Sequence, residues 1–312
     1  MLCIFLNVVE IFVLYMFYRW ILNVYVLNIF RFAGADIANI CNEAAIVAAR
    51  NGKKSVEMVH FEQATDRIIG GLETHKIMSP EERRVVAYHE AGHAVAGWNL
   101  EHTDPLLKVT IVPRGNGALG FAQYLPKEVA LRNREQLLDM ICMALAGRAS
   151  EQINFGKITT GASDDLKRVT SIVYQMVQVF GMNDKVGQVS FPRDGEGYQE
   201  KPYGNALSEL MDTEVKLVID EAYQRTVDLM ADKKDQVIAV AEMLLEKETI
   251  SHIDIHNVIG KRPFATEAEY EQFVGMTWDK PVDVKSSDSN SNTVENDSEE
   301  TEGQTEGNPI PA

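Results

Sequence analysis

The run Ser79-Pro80-Glu81-Glu82-Arg83-Arg84-Val85-Val86-Ala87-Tyr88-His89-Glu90-Ala91-Gly92-His93 carries two readings that support each other. Ser79 suits an N-cap, Pro80 the first turn and Glu82 the reciprocal capping position, so a helix is predicted to about Leu100. Inside it His89 and His93 stand four residues apart, one above the other on a single face. That spacing lets both imidazoles coordinate one Zn²⁺ at about 2.0–2.1 Å. Glu90 lies one residue round the helix, beside the metal and available to a water rather than to the ion. The plainer alternative is two surface histidines flanking an acid.

A catalytic zinc site takes three protein ligands and keeps one position open. The extended metzincin pattern needs Gly at position 96 and His at position 99, where this sequence has Ala96 and Asn99. The remaining candidates for the third ligand are Glu101, His102, Glu128, Asp164 and Asp165. Thr159-Thr160-Gly161-Ala162-Ser163-Asp164-Asp165-Leu166 is a Gly-containing loop entering a helix, which would hold a carboxylate in a fixed first turn. Both acids would also suit that turn as partners of the helix dipole, and position does not separate them. With these parts the expected chemistry is metal-assisted hydrolysis, Glu90 taking a proton from water and passing it to a leaving amine.

Outward from this helix the pattern is mainly α with a small β-hairpin or sheet. Helices are predicted over 34–50, 56–69, 134–153, 164–180, 205–232, 234–247 and 251–258, and strands over 106–113 and 119–125. Arg114-Gly115-Asn116-Gly117 reads as the hairpin loop, and the hairpin offers an edge to which an extended peptide could pair. Cys3, Cys41 and Cys142 are too far apart for a Cys-x-x-Cys pair and read as unpaired thiols.

Charge divides the chain. The formal net charge is −16, of which residues 263–312 supply −10 and residues 1–32 supply +1, leaving −7 for 33–262. The acidic tail, 263–312, has too few apolar groups to offset its ordering entropy and is expected to be mostly disordered. An acidic chain of this kind is a poor partner for nucleic acid. Residues 1–32 are apolar at 26 positions, but Glu10 and Arg19 interrupt the run. They read as a membrane segment or as an artefact of the gene model. No Gly-x-x-x-x-Gly-Lys-[Ser/Thr] phosphate loop occurs anywhere in the sequence.

Phe32-Ala33-Gly34-Ala35-Asp36-Ile37-Ala38-Asn39-Ile40-Cys41-Asn42-Glu43-Ala44-Ala45 resembles the start of the helical lid of FtsH-type AAA+ zinc metalloproteases. His89–His93 and Thr159–Leu166 resemble the zinc motifs of the same family's peptidase domain, and the details are most similar to its mitochondrial m-AAA branch. The resemblance covers about 33–272. It implies a partial AAA+ lid over 33–76 and a zinc peptidase domain over 77–262. It implies an ATP-driven endopeptidase for unfolded or membrane proteins, built as a homo- or hetero-hexameric ring in the inner mitochondrial membrane and serving protein quality control. It carries the third zinc ligand onto Asp165 and a nucleotide-base contact onto Gly34 and Ala35, with ATP and Mg²⁺ implied by the family alone. The family's membrane helices, phosphate loop and arginine finger would precede Gly34 and are not in this sequence. The chain as written is therefore expected not to hydrolyse ATP, and a mis-called start becomes the favoured reading of 1–32. Two rival expectations stand beside the peptidase: a non-catalytic or motor-less assembly subunit of the ring, and a membrane-anchored scaffold.

Overall fold

The computed structural model describes residues 34–71, 78–114, 119–125, 129–191 and 202–264. Residues 1–32, most of the acidic tail, most of the hairpin loop and the candidate ligand Glu128 lie outside the described residues. In chain order the elements are α1 (Gly34–Arg50), α2 (Met58–Gly70), α3 (Pro80–Asn99), β1 (Leu106–Thr110), β2 (Phe121–Tyr124), α4 (Arg134–Phe155), a 3₁₀ turn (Thr160–Ala162), α5 (Ser163–Gln178), α6 (Asn205–Asp232), α7 (Lys234–Lys247), β3 (Thr249–Ser251) and α8 (His252–Ile259). The fold is mainly helical with one small antiparallel sheet.

Local chemistry fixes the helix that matters most. Ser79 Oγ accepts from the Glu82 backbone N–H at 3.2 Å, and the Glu82 carboxylate accepts from the Ser79 N–H at 2.9 Å, closing the start of α3. From Ala87 to Trp98 every residue of α3 except His93 is buried or lies at the buried boundary of the core. Such all-round burial needs small neighbours, and α3 and α4 supply them. A Cβ on Gly92 would stand 2.6 Å from the Ala146 carbonyl oxygen, so the two backbones meet closer than any side chain permits. Ser150 of α4 donates to the Tyr88 carbonyl at 2.6 Å across the same crossing. Ile141 and Leu145 of α4 are fully buried, each worth about 1.5–3 kcal/mol of transfer free energy.

The sheet has the order β2-β1-β3, both pairings antiparallel. Thr110 pairs with Phe121 and Leu106 with Tyr124, with a bulge between Leu106 and Lys108. Among the described residues β2 therefore has a free edge. The sheet packs against α3, and Arg262 ties the chain back to the end of that helix by donating to the Leu100 carbonyl at 2.8 Å. Strand β3 lies at the junction of the predicted helices 234–247 and 251–258, where the sequence pattern predicts no strand. Its three residues follow Glu248, which takes a left-handed φ of 61° and reverses the chain out of α7. β1 is shorter than the predicted 106–113, ending at Thr110.

α1 and α2 make a separate small core of Ile40, Ala44 and Ala64. Asp66 of α2 pairs with Lys108 of β1, and Arg67 pairs with Glu43 inside the small unit. Cys142 is buried and Cys41 half-buried, and both are free thiols. Among the described residues no helix is long and apolar enough to cross a membrane.

Candidate metal centre

One turn of α3 brings the two imidazoles together, with His89 Nε2 and His93 Nε2 3.1 Å apart. Their other ring nitrogens face groups that only accept. His89 Nδ1 lies 2.7 Å from the Glu151 carboxylate and His93 Nδ1 lies 2.8 Å from the Met143 carbonyl. Each Nδ1 therefore carries the proton, and in the neutral rings two Nε2 lone pairs converge on one point. Lone pairs so close repel unless a cation or proton lies between them. Asp165, in the first turn of α5, brings Oδ2 to 3.4 Å from His89 Nε2 and 3.5 Å from His93 Nε2. The three ligand atoms lie within 4.8 Å of one another, and this is the metal-competent group among the described residues.

On the α4 side the packing leaves no room for a side chain beside these rings. A Cβ on Gly147 would sit 2.6 Å from Nε2 of both histidines. Glu151, one turn on from Gly147 along α4, is itself held by the Thr159 N–H at 2.7 Å and by the Thr159 hydroxyl at 3.1 Å. The loop entering α5 thus orients the carboxylate that orients His89. This is the usual support of a metal-ligating imidazole, and it is in place here. The donor set, two imidazoles and a carboxylate, suits Zn²⁺.

Charge follows the same geometry. Burial alone would depress the His89 imidazolium, but hydrogen bonds to Asp165 and Glu151 overrule it and push His89 up to about 10. Burial would raise Asp165, yet the two histidines hold it well below the usual carboxylate range. Glu151 is likewise lowered, its burial outweighed by His89 and Thr159. Glu90 goes the other way. Burial raises it, and the nearby histidines offset only part of that. A carboxyl moved up toward neutrality is suited to taking and returning a proton. Gly120, just before β2, closes over Glu90, since a Cβ there would stand 2.8 Å from the Glu90 Cγ and Oε1 atoms.

Comparison with known proteins assigns the architecture. Residues 76–258 match peptidase family M41, and residues 31–63 match the AAA+ lid domain. The chain belongs to peptidase family M41. Among its M41 relatives, the mitochondrial inner membrane m-AAA protease component AFG3L2 of Mus musculus is 56% identical over 249 residues, 79% of this chain and 31% of that protein. The mitochondrial ATP-dependent zinc metalloprotease FTSH 8 of Oryza sativa subsp. japonica is 56% identical over 75% of this chain and 29% of its own length. FtsH of Rhodothermus marinus is 51% identical over 75% of this chain and 34% of its own length. The chain spans about a third of the length of these curated relatives. M41 is a family of zinc metallopeptidases, which accords with the donor set.

Of the candidate third ligands, the M41 fold brings Asp165 to the histidines. Asp164 points outward and pairs with Lys167 at 2.8 Å. Glu101 is exposed, and the His102 backbone N–H is bonded to Asp139 at 3.2 Å. Gly34 and Ala35 stand exposed at the start of α1. The sequence pattern did not single out Gly147, Glu151 or Tyr124. Gly147 and Glu151 are four apart on α4, so they share a face, but nothing local marks that face as the one turned to His89.

Proposed function

We propose that residues 77–262 form a zinc endopeptidase domain in which His89, His93 and Asp165 hold the metal and Glu90 is the general base. The observation that carries this reading is the pair of Nε2 atoms 3.1 Å apart with Asp165 beside both, each imidazole committed to an acceptor through Nδ1. When bound, zinc supplies the electrophile that polarises a scissile carbonyl and acidifies water. Glu90 accepts a proton from the attacking water as its oxygen bonds to the carbonyl carbon. The same carboxyl then delivers that proton to the amine nitrogen as the C–N bond breaks. Glu151 keeps the His89 lone pair aimed at the site throughout. The free edge of β2, beside Glu90, takes an extended peptide by strand addition.

The reading extends to the larger protein through the relatives. Residues 33–76 form a partial AAA+ lid and 263–312 an acidic extension. The whole assembly is an ATP-dependent ring protease, homo- or hetero-oligomeric, acting on unfolded or membrane proteins at the mitochondrial inner membrane. Relatives named as m-AAA and mitochondrial proteases support this. The rival, an assembly subunit without chemistry of its own, predicts no cleavage by this chain alone. Zinc-loaded chain incubated with unfolded casein should cut it, and Glu90→Gln should keep the zinc and lose the cutting. Undiminished cleavage by Glu90→Gln would remove Glu90 from the role.

A further inference from the structure

Strand β2 lies along α3 with one face down. Side chains alternate along a strand, so Gly120, Ala122 and Tyr124 share that face. Gly120 meets Glu90 at one end. At the other end a Cβ on Gly97 would stand 3.4 Å from the Tyr124 ring and 3.3 Å from the Met143 sulfur. Gly97 is one turn beyond His93 on α3, and Met143 is the residue whose carbonyl holds His93. Tyr124 therefore packs against the turn of α3 that follows His93. Its backbone is fixed by the pairing with Leu106 and by the Leu125 N–H donating to the Pro105 carbonyl at 2.8 Å.

The Tyr124 hydroxyl is buried and has no hydrogen-bond partner among the described residues. Buried hydroxyls in folded proteins are almost always paired. An unpaired one calls for an explanation, and a catalytic role is among those available. Burial raises this phenol well above its ordinary range, and the field of Glu90 raises it further, so the hydroxyl keeps its proton and remains a donor. Ala122 and Tyr124 lie on β2, an edge strand of the sheet, where an incoming peptide would pair.

We propose that Tyr124 is a further catalytic residue of this site, its hydroxyl donating a hydrogen bond to the carbonyl oxygen of the peptide bond being cleaved. As the water oxygen bonds to the carbonyl carbon, the C=O π pair moves onto that oxygen and the water's proton moves to Glu90. Tyr124 gives up no proton and stabilises the charge by its dipole. The inference rests on the peptidase reading above, and the tests separate the two.

Tyr124→Phe preserves the ring and removes only the unpaired hydroxyl. It should melt at the same temperature as the wild type or higher, keep stoichiometric zinc, and lower kcat on a short unstructured peptide about 100-fold with little change in KM. Glu90-dependent turnover that Tyr124→Phe leaves intact would overturn the inference while the peptidase reading stands. Calorimetric binding of a phosphinic peptide, whose oxyanion imitates the tetrahedral carbon's, reads the same contact without turnover. Tyr124→Phe should weaken it about 100-fold and leave binding of the cleaved product peptide unchanged. Equal loss for both peptides, or for neither, would overturn the assignment.

Discussion

At Gly147 a Cβ would stand 2.6 Å from the Nε2 atoms of both His89 and His93, so the absence of a side chain there is a condition of the site. Gly147→Ala should push the two rings apart, lose stoichiometric zinc by metal analysis, and destabilise the chain by about 1–3 kcal/mol in denaturant titration. Glu151 acts one bond further out, through the His89 Nδ1 proton. Glu151→Ala frees that ring to turn, and zinc affinity measured by chelator competition should fall about 10–100-fold with helix content unchanged. Of these residues the sequence displays His89, Glu90 and His93 openly, because one helix holds all three and its spacing alone brings the imidazoles together. It narrows the third position to five candidates and, by resemblance, to Asp165. Gly147, Glu151 and Tyr124 are silent in sequence because each acts across a tertiary contact, Gly147 and Glu151 with the histidines and Tyr124 with Gly97 of α3, and no local pattern encodes which face of α4 or β2 turns inward.

The elements were legible where their ends carry chemistry. Ser79, Pro80 and Glu82 announce α3, and the structure closes that helix with both bonds of the capping box. Ser79→Ala should therefore cost about 1 kcal/mol, read as a lower denaturation midpoint with an unchanged slope. α6 and α7 also match their predicted spans, since the chain between them breaks only at Lys233. Strand β3 was hidden for two reasons. Three residues are too few for an alternating pattern to register, and the turn before it uses Glu248 in the left-handed region, where a glycine would have given the signal. Its existence depends on β1, from which it is separated by most of the peptidase domain.

At the scale of the molecule, two hydrophobic cores divide the described chain. Ile40, Ala44 and Ala64 form one, and the residues around α3, α4 and the sheet form the other, with no member in common. The link between them includes the Asp66–Lys108 ion pair, whose side chains are 21% and 17% exposed. A chain beginning at Ile77 should therefore keep its zinc and a single cooperative melt, and a loss of either would show that the lid helices belong to the peptidase core. The charge asymmetry of the sequence fits this division, the acidic excess lying in a tail beyond a domain of more ordinary balance. His89, His93 and Asp165 are proposed to make one zinc centre. Anomalous diffraction from crystals of the zinc-loaded chain, collected on both sides of the zinc edge, tests it most directly. A single strong peak is expected, bonded to His89 Nε2, His93 Nε2 and an Asp165 carboxylate oxygen. A peak ligated by other side chains, or one that leaves Asp165 unbonded, would contradict it.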